Sequence, residues 1–121
     1  MATEEFYSAR VVDGIHVVTF RQGHILDAVA IDRMASNLKE LVNATPQGRY
    51  VFDFQHVTFL SSSALRMLIE LQRLIGQGQA RMKLAGLNED LMEPFRQTKL
   101  DTWFDIYKNA DAAVEAQRKS Q

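Results

Sequence analysis

Three consecutive serines, Ser61-Ser62-Ser63, are the residues of this chain whose type and setting could carry chemistry. They follow the apolar runs Tyr50-Val51-Phe52-Asp53-Phe54 and Val57-Thr58-Phe59-Leu60. They precede Ala64-Leu65-Arg66-Met67-Leu68-Ile69-Glu70-Leu71, a segment of helical composition that is too apolar for a surface helix. The serines therefore fall at a strand-to-helix junction. Serine is a favoured helix N-cap because its oxygen accepts a hydrogen bond from one of the unpaired N–H groups of the first turn. One hydroxyl is expected to cap. A hydroxyl left over would stand at the positive end of a helix, where an added phosphate is well accommodated. On the local pattern alone, capping is the commoner use of such serines.

Other chemistry finds weaker support. A hydrolase would use Ser62 as nucleophile, His56 or His24 as base and Asp53 as orienter, but the flanking glycines of a nucleophile elbow are missing. His16, His24 and His56 lack paired-ligand spacing, and there is no cysteine, so neither a metal site nor a disulfide is expected. Gly76-Gln77-Gly78 has no Lys-Ser/Thr ending and follows a predicted helix, so it is no phosphate loop. Met34, Met67, Met82 and Met92 read as core fillers. Phe95, Leu100, Trp103 and Phe104 could form a docking patch, although a cluster closing the core under the last helix is the expected use.

The elements that position the serines are legible in order. Phe6 to Val12 and Ile15 to Phe20 are β-branched and aromatic runs joined by Asp13-Gly14, a tight-hairpin signal. After a polar loop at Arg21-Gln22-Gly23-His24, Ile31, Met34, Ala35, Leu38, Leu41 and Val42 recur at helical spacing for about four turns. The strand at Tyr50 to Phe54 lacks alternation, as a strand covered on both faces should. In the helix after the serines, Arg66, Glu70 and Arg73 mark a narrow solvent face, and Gly76 and Gly78 are expected to end it. Met82 to Ala85 predicts a strand, and Asn88 caps a short helix that Pro94 should limit or kink. Trp103 to Tyr107 predicts a short segment at the sheet edge, and Asn109 begins a terminal helix. The expected fold is α/β: a small mixed sheet with an antiparallel N-terminal hairpin, its other strands largely parallel, covered by about four helices.

With 121 residues the chain suits one domain, 1–121, with residues 1–5 and 117–121 expected to fray. Hydrophobic residues make up 46% and charged ones 24%, which argues against disorder. The net charge of -1 gives no electrostatic reason to bind nucleic acid or acidic lipid, so proteins or small molecules are the expected partners. The acidic start, Met1-Ala2-Thr3-Glu4-Glu5, is no secretory signal and no run is long enough to span a bilayer. A cytoplasmic protein is expected.

The stretch from Val57 to Leu65 resembles the signature of the anti-sigma-factor antagonist family, the STAS domain, in which a strand leads into Asp-Ser-Ser/Thr-Gly-Leu at a helix start. Ser61 stands where that family usually has Asp, and Ala64 where it has Gly. The resemblance extends through Gly23-His24-Ile25-Leu26-Asp27, Gly76-Gln77-Gly78, Met82 to Leu87 and Thr98 to Tyr107. It implies a non-enzymatic switch without a cofactor. Ser62 would be the serine that a partner kinase phosphorylates, with Ser63 as second choice. Asp27, Ser61, Ser62, Ser63, Ala64 and Arg66 would face the partner. That partner would be an anti-sigma factor acting as serine kinase, with a phosphatase restoring binding. The main alternative is a STAS scaffold that does not switch, in a signalling complex or on the cytoplasmic side of a lipid transporter.

Overall fold

A computed structural model describes residues 7–21, 24–25, 28–44, 48–77 and 81–119. Strands β1 (Tyr7–Val12) and β2 (Ile15–Phe20) form the expected antiparallel hairpin, and Asp13 and Gly14 between them both take positive φ, 52° and 79°. That is the backbone which a two-residue turn between right-twisted strands requires. Helix α1 (Ala28–Ala44) leads to β4 (Arg49–Asp53), and helix α2 (Ser62–Gln77) leads to β6 (Arg81–Ala85). Helix α3 (Glu89–Gln97), strand β7 (Asp105–Tyr107) and helix α4 (Ala110–Lys119) complete the chain. The main sheet runs β1-β2-β4-β6-β7, parallel everywhere except in the first hairpin. The sequence does not announce a second pairing: β3 (His24–Ile25) lies parallel to β5 (Phe59–Leu60). His24, read as loop, is thus extended and paired.

Alternation along the strands divides the core in two. Val18, Phe20, Tyr50, Phe52, Met82 and Leu84 face α1 and α2, which bury Ile31, Met34, Leu38 and Val42, and Ala64, Met67, Leu68, Leu71 and Ile75. Ile15, Val17, Val51 and Ala85 face the other way, against Ala113 and Val114 of α4. Central β4 is therefore covered on both sides, which explains its unbroken apolar run.

Several expectations are corrected here. Gly76 lies inside α2, which continues to Gln77, and Gly78 falls outside the described residues. Pro94 sits inside α3, and the helix ends one turn later, where Thr98 Oγ1 donates to the Pro94 carbonyl at 2.7 Å. The aromatic cluster does not underlie the last helix. Phe95 and Phe104 join the α1–α2 side of the core, whereas Trp103 is 41% exposed and its carbonyl accepts from Gln72 Nε2 at 3.2 Å. Fraying was expected from Gln117, yet the helix runs on to Lys119. Gln117 is buried, and its Nε2 donates to the Tyr50 carbonyl at 3.0 Å.

His16 on β2 stacks on Tyr50, with ring centroids 5.1 Å apart, and its partial burial holds the imidazole below its usual pKa of 6.5. The unfolded chain therefore takes up a proton on His16 before the folded one does. Its contribution is intact above pH 6.5 and is lost as the pH falls below that value. Thermal unfolding should show a melting temperature that drops between pH 7 and pH 5, with a shallower drop in His16→Phe; equal slopes would sink this assignment.

Candidate functional site

The chain leaves β4 through a tight turn. Phe54 donates its N–H to the Ala85 carbonyl at 2.8 Å, and its own carbonyl accepts from Val57 N at 2.9 Å. Phe54 and Val57 are buried and anchor the turn, while Gln55 and His56 are exposed at its tip. Asp53, although buried, is satisfied: its Oδ1 accepts from Gln55 N at 3.1 Å and its Oδ2 from Gln55 Nε2 at 2.7 Å. Strand β5 then delivers the chain to Ser61.

Ser61 is the helix cap. Its Oγ accepts from Ala64 N at 3.2 Å and its carbonyl from Leu65 N at 3.0 Å. Ser62 and Ser63, in the first turn of α2, are exposed, and neither hydroxyl is hydrogen-bonded among the described residues. Arg66 is exposed one turn on. Ala64, expected on the partner-binding surface, is instead a core residue with no accessible surface, because its methyl points into the packing beneath α2. Asp27 lies outside the described residues. The structure thus brings Ser62, Ser63 and Arg66 together on one exposed helix end and uses Ser61 and Ala64 to hold that end in place.

Ser63 and Ser62 differ in surroundings. Ser63 and Arg66 line a groove of about 230 Å³ between α1 and α2, together with Asp32, Met67 and Glu70. Glu70 is held across that groove by Lys39, whose Nζ lies 3.2 Å from Glu70 Oε1. Ser62 is not part of the lining. Phe59, 48% exposed just before the serines, adds apolar surface beside them. No periodic signal could have shown this, since a two-residue strand pairs on one side only.

Among the described residues the hydrolase arrangement with His56 as base is not assembled. Among the described residues no hydrogen bond joins His56 to Ser62 or Asp53, and both carboxylate oxygens of Asp53 are engaged by Gln55. Among the described residues no three His, Cys, Asp or Glu side chains group around a possible metal position. A polar cavity of about 480 Å³ on the α4 side is lined by Arg10, Asp53, Gln55, Lys108, Asn109 and Asp111 among others. Its cations and carboxylates offset one another.

Fold and site together define a small α/β domain of the anti-sigma-factor antagonist type. The chain belongs to the STAS domain family, whose pattern it matches over residues 7–113. An anti-sigma factor antagonist from Mycobacterium paratuberculosis is similar in structure, with a TM-score of 0.80, 26% identity, and coverage of 93% of this chain and 92% of that one. SpoIIAA in its unphosphorylated form aligns with a TM-score of 0.77 at 17% identity, covering 95% and 98%. The phosphorylated form of that Bacillus cell fate determinant aligns at 0.72 and 15%, covering 91% and 97%. No curated protein matches by sequence. Among the described residues no helix is long and apolar enough to cross a membrane.

The division of labour among the serines is measurable as stability. Ser61→Ala should cost about 1 kcal/mol in urea unfolding through loss of the cap, whereas Ser62→Ala should stay within about 0.5 kcal/mol of the parent. The reverse order would overturn the assignment of Ser61 as cap.

Proposed function

We propose that this domain is a phosphorylation-switched anti-sigma-factor antagonist: unphosphorylated, it binds an anti-sigma kinase in the cytoplasm and frees a sigma factor, and phosphate on Ser62 ends that binding. The observation that carries the reading is the uncommitted, exposed Ser62 hydroxyl in the first turn of α2, beside a cap that Ser61 supplies. The similarity to SpoIIAA, a protein known in phosphorylated and unphosphorylated forms, supports it. The domain would be the kinase's substrate, and any ATP would belong to the partner. A partner phosphatase would reset the switch.

Ser62 is preferred to Ser63 on electrostatic grounds. A phosphate on Ser63 would enter the groove where the carboxylates of Asp32 and Glu70 stand beside Arg66 and offset its attraction. On Ser62 the added charge, about -1.5 to -2, lies outside that groove and near a helix N-terminus, which tolerates it. A partner docked flush against the helix end does not. Burying the ion without a counter-charge costs several kcal/mol, and each ~1.4 kcal/mol is tenfold in affinity.

Affinity capture from native cells should retain a histidine-kinase-like ATPase on the parent and on Ser62→Ala, and lose it at least about a hundredfold on Ser62→Asp. Mass spectrometry of the native protein should find phosphate on Ser62. Capture that is indifferent to Ser62→Asp, together with no phosphate on Ser62 or Ser63, would instead establish a scaffold that does not switch.

A further inference from the structure

Arg66 stands four residues beyond Ser62 on α2, a spacing at which side chains on one helix are neighbours, with Cβ atoms about 5–6 Å apart. It is exposed, and among the described residues it has neither an ion pair nor a hydrogen bond. The acid placed to neutralise it, Glu70 at the next i+4 position, is drawn instead across the groove to Lys39 of α1 at 3.2 Å. The result, among the described residues, is a guanidinium without an ion pair one turn from a hydroxyl without a hydrogen bond. The next cation along the helix, Arg73, is two further turns away. A guanidinium is suited to a phosphate, since its planar fork of N–H donors can pair with two oxygens at once.

We infer that Arg66 is the in-chain counter-ion for a phosphate carried on Ser62. The inference rests on Ser62 as the acceptor and adds a second effect to the switch. Phosphorylation introduces negative charge and also withdraws Arg66 from the surface offered to the partner, so a carboxylate of the partner that paired with Arg66 would be left unmatched. The phosphate is held along α2 instead of trailing in solvent. Around Ser63 the same cation competes with Asp32 from α1 and with Glu70, so a phosphate there gains less from it.

The test needs neither kinase nor partner. Phosphoserine is placed at position 62 of the full chain during translation, in the parent, Arg66→Ala and Arg66→Gln backgrounds, and the phosphate is titrated by phosphorus NMR. An opposite charge within reach favours the dianion, and the helix end contributes equally in all three proteins. Loss of Arg66 should therefore raise the second ionisation by about 0.15 to 0.4 pH unit, a shift of the size expected for an exposed i,i+4 pair. With phosphoserine at position 63 the same loss should shift it by less than half as much. Coincident curves at position 62 in three proteins with the same circular dichroism would overturn the inference. Because the phosphate is supplied synthetically, that result is independent of whether Ser62 is modified in cells, which mass spectrometry of the native protein decides.

Discussion

The hydrogen bond from the Ala64 amide to the Ser61 hydroxyl fixes where α2 begins, and the burial of Ala64 fixes its rotation. With about 100° between successive residues of a helix, a residue pressed inward at 64 turns 62 and 63 outward. The exposure of those two hydroxyls is thus dictated by a neighbour that never meets solvent. A residue larger than alanine at 64 would have to displace the packing of Met67 and Leu68, which share that inner face. The replacement of the family's usual Asp by Ser61 preserves the cap, since either side chain offers an oxygen to the first-turn amides.

What holds the cap in register is the central strand. Covered on both faces, β4 can end only where the chain finds a route out of the sheet, and the turn from Phe54 to Val57 provides it with two buried anchors. Strand β5 then pairs with β3, so Phe59 and Leu60 are tied by backbone hydrogen bonds just before the serines. Gly86 accommodates this arrangement. It takes φ +75°, and a Cβ there would lie 2.9 Å from the Asp53 carboxylate, leaving only glycine to let β6 and the turn approach so closely.

Much of this was legible in the residues. Asp13-Gly14 announced the hairpin, the spacing of Ile31, Met34, Leu38 and Val42 announced α1, and Asn88 caps α3 as its type and place suggested, with Leu91 N donating to its Oδ1 at 2.8 Å. The features that escaped share a cause. Pairing of β3 with β5 depends on two segments meeting in space and has no periodicity to read. Trp103 and Phe104 are equally apolar neighbours, and only tertiary packing turns one outward and the other inward. A solvated face was readable for Arg66, but its lack of an ion pair among the described residues was not, because that depends on Lys39 reaching Glu70 from another helix.

The bond from Gln117 to the Tyr50 carbonyl makes the last helix a clasp on the middle of the sheet. The family pattern stops at residue 113, only four residues into α4, so the matched stretch and the packed helix do not end together. A fragment trimmed to the former would keep Ser61, Ser62 and Ser63 and still lay bare part of the flank around Val51, with Val114 gone from its cover. The packing around β4 reaches past the stretch that the family pattern matches.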